Sequence, residues 1–178
     1  MARERYLGIV GPSGVGKTTL MMKLIEDYPS IFFKVNQCTT REIRDDETGD
    51  AYIWLDSKRD YRKIEHLLIA KTEVRGSLYG SIPEARDSMV GVIILNEKGL
   101  LDLVNQSNLT RNNYYIIGLN KPIEEIEAKR DGRPDDYLIQ EREVLKYADT
   151  VIDVSNNRYA KTENVMRIAR DFFNGEEL

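Results

Sequence analysis

The 178-residue chain has a single cysteine, Cys38, and a single histidine, His66. One thiol excludes an internal disulfide framework, and the two residues together cannot form a metal cluster by themselves. Neither is assigned to catalysis, since His66 lies in a helical stretch of mixed polarity where a surface or packing role is the simpler reading. Also lacking are an N-terminal signal pattern and any apolar run long enough to span a bilayer, which predicts a cytoplasmic, reducing compartment. Positive charge is in deficit, with 26 Lys and Arg against 30 Asp and Glu and a formal net charge of −4. That balance argues against general binding to nucleic acid or anionic membranes, so any basic cluster must serve a local anionic ligand such as a small phosphate. There is no internal repeat or low-complexity tract, and the length suits one domain, residues 1–178, with inserted subregions.

What is present begins near the N-terminus. Gly11 to Thr18 read GPSGVGKT and fit the pattern G-x-x-x-x-G-K-[ST]. They follow the apolar run Tyr6 to Val10 and precede a segment, Thr19 to Tyr28, in which Leu20, Met21, Leu24 and Ile25 recur at helical spacing. A loop in that setting turns backbone N–H groups inward and points a helix N-terminus at an anion, so it binds nucleotide phosphates through backbone dipoles. Gly14 and Gly16 let the backbone approach the phosphates, Lys17 reaches the β and γ oxygens, and the Thr18 hydroxyl ligates magnesium. Gly11, Ser13, Val15 and Thr19 complete the predicted ATP contacts.

Ile31 to Gln37 reads as a second strand, and Thr39 to Asp50, polar and without apolar periodicity, as an exposed functional loop. A short strand at Ala51 to Leu55, a helix through Tyr61, Ile64, Leu67 and Leu68, and antiparallel strands between Thr72 and Ser81 follow. Val90 to Leu95, Tyr114 to Leu119 and Val151 to Val154 are continuous apolar runs, as parallel strands covered on both faces require. This alternation predicts an α/β fold of the three-layer P-loop NTPase kind, with a parallel central sheet and the phosphate loop at the carboxyl end of its first strand. The core takes residues 1–36 and 82–178, with an inserted subdomain at about 37–81 and a charged lid at about 127–145.

Thr39, Thr40, Arg41 and Arg44 form a second cluster. Two guanidinium groups three positions apart can fork onto one phosphate. A solvated loop in which Asp45, Asp46 and Glu47 pair with the arginines is the alternative. Tyr52 and Tyr79 are ambiguous in isolation, between packing and phosphate binding.

In combination the pieces resemble the guanylate kinase family, which runs GPSGxGK[ST], TTRxxR, G-x-x-Y and YG[ST]. The chain has GPSGVGKT, then Thr39 to Arg44, then Gly49 to Tyr52, then Tyr79, Gly80 and Ser81. The resemblance is strong over the first half and covers the rest in outline. It implies an ATP-dependent nucleoside monophosphate kinase, acting with Mg2+ on GMP, dGMP or a related acceptor. Arg41, Arg44, Tyr52 and Tyr79 would then hold the acceptor phosphate, and Ser81 would sit at the acceptor base. Lys129 to Arg133 and Arg142 look like the family's lid, with Arg133 and Arg142 stabilising the migrating phosphoryl group. For Arg142 a solvated helix face stays open. Asn156, with Asn157, matches the region that contacts the donor adenine.

The chain departs from the family where guanine is read. A serine before the TTR loop, a glutamate ten positions before the glycine of the YG turn and an aspartate ending the middle strand fall, by ungapped counting, at Gln37, Ala70 and Asn96. Losing a carboxylate partner leaves guanine donors unpaired, at about 1–3 kcal/mol each. Either a register shift brings Glu73 into the base site, or the pocket reads another base or acceptor through the Gln37 and Asn96 amides. Asn96 as a simple strand-terminal turn residue is the plainer alternative. With Ile94 and Asn96 in the middle strand, magnesium rests on Thr18, the phosphates and water. A ribose bisphosphate kinase and a non-catalytic binding module are the other readings, although such modules typically lose the donor loop that is intact here.

Overall fold

The computed structural model describes residues 3–43, 45, 49, 51–106, 108–127, 135–155 and 161–173. The predicted Arg44, Arg133 and Asn156, with Lys129 to Gly132 and Asn157, lie outside them. In chain order the structure has β1 (Tyr6–Val10), α1 (Lys17–Asp27), β2 (Phe32–Lys34), β3 (Gln37–Thr39) and β4 (Ile53–Trp54). Next come α2 (Lys58–Ile64), β5 (Ile69–Val74), β6 (Ser77–Ser81), β7 (Val90–Ile94) and α3 (Glu97–Val104). Last are β8 (Tyr114–Asn120), α4 (Ile123–Glu127), α5 (Asp135–Arg142), β9 (Thr150–Asp153) and α6 (Thr162–Phe173). No helix among the described residues is long and apolar enough to cross a membrane.

Two sheets result. The first is wholly parallel, in the order β2-β7-β1-β8-β9, which is the expected α/β core. All five residues of β1 are buried because both its faces are covered. On one side Leu7 and Ile9 pack with Leu20, Met21 and Leu24 of α1 and Val165, Ala169 and Phe173 of α6. On the other, Tyr6 and Val10 pack with Ile93, Leu100, Leu103 and Ile116. Truncating a side chain as deeply buried as Leu7 to alanine costs about 2–5 kcal/mol. Because β7 and β8 flank β1, the chain leaves the carboxyl end of β1 at the point where strand order reverses, and there the crevice for a ligand opens.

The second sheet, β4-β3-β6-β5, is mixed: β3 runs parallel to β4 and antiparallel to β6, and β5 and β6 form a hairpin. The single strand expected over Ile31 to Gln37 is therefore two. Phe32–Lys34 pairs with β7, Gln37–Thr39 pairs with β6, and Val35 N–H to Val92 O and Ile82 N–H to Asn36 O mark the crossing. Nothing in the apolar run signals the break, since the change lies in the partners. The strand expected at Ala51 to Leu55 shortens to Ile53–Trp54, and the hairpin begins at Ile69 instead of Thr72. The expected helix through Leu68 ends as α2 at Ile64 and continues as a 3-10 turn, Glu65–Leu67. The Ser57 side chain caps α2, accepting from Asp60 N–H.

α2 covers one face of this sheet. A Cβ on Gly80 would lie 2.6 Å from the Leu68 side chain, so only glycine allows that approach. The Tyr61 hydroxyl donates to Tyr79 O at 2.7 Å, and Cys38, Leu68 and Leu78 fill the space beneath. Burial pushes both the Tyr61 phenol and the Cys38 thiol above their ordinary ranges. His66 is exposed, so of the surface and packing roles left open by the sequence it has the first.

Candidate active site

At the donor end the loop has the backbone the motif predicts. Gly11, Gly14 and Gly16 have φ of 143°, 81° and 107°, a region that side chains strain to enter. Val15 is buried in the core and anchors the loop, leaving Gly14, Thr18 and Thr19 exposed at its mouth. Lys17 folds back over the loop, its Nζ donating to Gly11 O at 2.8 Å and Pro12 O at 2.9 Å. The ammonium is thereby held against two carbonyls of the loop itself.

A carboxylate already uses that geometry. Ser13 N–H donates to Glu141 Oε2 of α5 at 2.7 Å, a charge-assisted bond in which a side chain 128 positions away meets the loop as an anion. The neighbouring Arg142 is part-buried, which removes the solvated-face reading. Its Nη2 donates to Lys121 O at 2.5 Å, while its Nε is buried without a partner among the described residues. Lys121 itself is only 4% exposed, with Nζ 3.6 Å from Glu125. A buried guanidinium N–H and a buried ammonium beyond the carboxyl end of β8 give this end a positive character suited to polyphosphate.

At the acceptor end, strand pairing decides which side chains share a face. Gln37 lies opposite Ser81, Thr39 opposite Tyr79, and Thr72 opposite Tyr79 from the other side. Alternation puts all of these on the face away from α2. Gln37 Nε2 donates to Ser81 Oγ at 3.2 Å. Thr39 Oγ1, fully buried, donates to Leu78 O and accepts from Arg41 N–H at 3.1 Å, aiming the polar loop. Arg41 then lies against Tyr52 and Trp54, and Tyr52 makes an edge contact with Tyr79. The structure thus gathers Arg41, Tyr52 and Tyr79 into one cluster.

Three positions weighed for the base site, Glu73, Ala70 and Asn96, sit in the fold as follows. Glu73 pairs opposite Leu78, on the α2-covered face, and forms an exposed ion pair with Lys58 at 3.8 Å. The register shift that would bring it into the base site does not occur. Ala70 does not line an open pocket either. It is 3% exposed, packed among Leu95 and Leu100, and has φ of 52° inside an irregularity between Ile69 and Thr72. Asp102 of α3 fixes that irregularity by accepting from Lys71 N–H at 2.8 Å. Asn96 serves α3 as its N-cap, with Oδ1 accepting from Gly99 N–H at 2.8 Å, and its Nδ2 donates to Thr72 Oγ1 at 3.2 Å. Both ends of the amide therefore have partners in the fold, and Asn96 is a helix cap, where the plainer reading had a strand-terminal turn residue.

Three residues were missed: Thr72, Lys121 and Glu141. Folding a hairpin about Arg75 and Gly76 would have set Thr72 opposite Tyr79, while Lys121 directly follows the last strand residue, Asn120. Glu141 sits among Tyr137, Leu138, Ile139 and Gln140 in a segment with no motif, and left no signal.

Comparison with known proteins agrees with this geometry. A family model described as guanylate kinase matches residues 3–108. Guanylate kinase from Chlorobium chlorochromatii is 27% identical over 168 residues, covering 86% of this chain and 88% of that protein. Guanylate kinase from Helicobacter hepaticus is 35% identical over 83 residues, a match that spans 46% of this chain and only 41% of that protein's length. Guanylate kinase 1 of Oryza sativa is 31% identical over 164 residues, spanning 86% of this chain and again 41% of its own length. The crystal structure of guanylate kinase from Anaplasma phagocytophilum superposes with a TM-score of 0.70 at 20% identity, covering 98% of this chain and 87% of that one, which supports the fold.

Proposed function

We propose, since the chain belongs to the guanylate kinase family, that it transfers the γ-phosphoryl group of ATP to the phosphate of GMP, dGMP or a related nucleoside monophosphate. The observation that carries this reading is the pairing of a formed donor loop, Gly11 to Thr18 with Lys17 folded over it, with an Arg41, Tyr52 and Tyr79 cluster on a separate sheet. A site for ATP alone needs only the first. Lys17 follows the migrating group, Arg41 with Arg44 fixes the acceptor phosphate, and Arg142 with Arg133 meets the charge on the equatorial oxygens. No general base is required, because the acceptor phosphate is itself an anionic nucleophile. Asn156 is proposed at the donor adenine.

Magnesium enters this reading with ATP. The exposed Thr18 hydroxyl is a hard oxygen donor of the kind the ion takes, and no group of three or more His, Cys, Asp or Glu among the described residues offers another place. When bound, the ion neutralises charge on the phosphates. Gln37, Ser81 and Thr72 line the face proposed for the acceptor base, and their hydroxyl and amide chemistry suits a base read without a carboxylate. Family membership and the intact Lys17 and Thr18 leave a sugar bisphosphate kinase or a silent module without support of their own. We place the enzyme in the cytoplasm on the composition of its sequence.

The test is a coupled assay with magnesium ATP and the common ribo- and deoxynucleoside monophosphates, with Lys17→Ala as control. Turnover of at least one acceptor, lost in the variant, is expected. No turnover with any would sink the proposal.

A further inference from the structure

Trp54 is the chain's single tryptophan and belongs to none of the motifs above. It ends β4, a strand of two residues, too short for its ladder bonds to account for a large aromatic side chain at a sheet edge. The indole is nevertheless firmly placed. Trp54 pairs opposite Thr39, Leu55 N–H donates to Thr39 O at 2.9 Å, and the indole Nε1–H donates to Gly49 O at 3.1 Å. Its ring faces the Arg41 guanidinium at 5.1 Å, closer than the Tyr52 ring at 5.8 Å, and the two rings meet edge to face at 5.4 Å. Both aromatic contacts fall within the range where a cation is attracted to a ring.

An arginine on a polar loop has many rotamers, and ordering it on ligand binding opposes affinity. Stacking lowers that cost in advance and acts on the faces of the guanidinium, beside the bond that its Nη1 donates to Glu42 O at 2.8 Å, whereas a phosphate is bound through N–H groups in the guanidinium plane. We infer that Trp54 is a positioning residue for phosphoryl transfer: its indole, with the Tyr52 ring, holds the Arg41 guanidinium in the orientation that receives the acceptor phosphate. The inference rests on the acceptor-phosphate role proposed for Arg41. A tryptophan that only stiffens the sheet edge would not link its effect to Arg41.

The experiment uses the full chain as Trp54→Leu, Trp54→Phe, Arg41→Ala and the Arg41→Ala, Trp54→Leu double variant, with steady-state kinetics for ATP and for GMP. Binding of GMP and of inorganic phosphate is measured alongside by calorimetry, so that affinity is read even where turnover is slow. Trp54→Leu is expected to raise KM and Kd for GMP about 3- to 10-fold, with kcat and the KM for ATP unchanged. Phenylalanine should restore most of the loss, and in the Arg41→Ala background the leucine should add nothing. Trp54 emission, read without substrate, should differ between the native chain and Arg41→Ala. If Trp54→Leu leaves GMP affinity unchanged while Arg41→Ala weakens it, the inference about Trp54 is wrong and the acceptor reading stands. An equal loss for ATP and GMP, or a full multiplicative loss in the double variant, also overturns it. If Arg41→Ala itself leaves GMP affinity unchanged, the acceptor role of Arg41 falls and the inference with it.

Discussion

The donor end and the acceptor end are assembled by different means. The proposed donor loop consists of eight consecutive residues between a strand buried on both faces and the helix it feeds, a site of backbone groups. The acceptor face draws Gln37, Thr39, Thr72, Tyr79 and Ser81 from three strands, and only cross-strand register places them together. A site made of consecutive residues survives wherever its short sequence survives. A site made by register can keep its phosphate-binding arginine and still change what base it reads, because one irregular stretch between Ile69 and Thr72 reassigns a whole face.

The largest expected effect falls on the donor side. Lys17→Ala removes the cation above the loop and should lower kcat by about 10²- to 10³-fold, read in the coupled assay, with the fold intact by circular dichroism. Arg41→Ala should act on the acceptor alone, raising its KM by about 10- to 100-fold through the loss of charge-assisted bonds and leaving the KM for ATP unchanged. Equal effects on both substrates would erase the distinction between the two ends. Glu141→Gln removes the competing charge from Ser13 N–H, so magnesium ATP should bind about 3- to 10-fold tighter by calorimetry, a gain where most substitutions lose. Asn96→Ala should cost about 1 kcal/mol of stability in a denaturant titration through the lost cap, while Asn96→Asp, an equally good cap, should cost almost nothing.

The smallest effect concerns pH. Burial raises the Cys38 thiol and the Tyr61 phenol, so each favours the folded state fully below its ordinary range and loses that contribution as pH rises toward the folded value. Stability should therefore decline on the alkaline side from about pH 9, and Cys38 should resist alkylation at pH 8 until the chain unfolds. Rapid labelling of the native protein would contradict the burial of that strand.

The sequence disclosed the parts whose physics is local. The apolar runs of β1, β7 and β8 could only be strands covered on both faces, and GPSGVGKT between a strand and a helix left little freedom. It did not disclose that one run, Ile31 to Gln37, serves two sheets, because at the dividing residues Val35 and Asn36 a lone asparagine, with no Gly or Pro beside it, is a weak turn signal. Counting placed Ala70 and Asn96 at the base site, and counting alone could not see that Ala70 has a left-handed backbone and is buried against α3, or that Asn96 caps that helix. Glu73 failed for the same reason, since its face depends on its partner Leu78. Glu141 was out of reach because its contact joins distant stretches of chain.

On the donor role proposed for the loop, the bond between Ser13 N–H and Glu141 makes entry of ATP an exchange of anions at that group. Any newcomer must outcompete a carboxylate that is tethered and so always present at high local concentration. A lone phosphate or sulfate offers little more than the group it displaces. A polyphosphate reaches several of the loop's N–H groups at once, together with the Lys17 ammonium. Under that proposed role the carboxylate would act as a sieve by valency, favouring a ligand that arrives with a chain of charges over a single small anion.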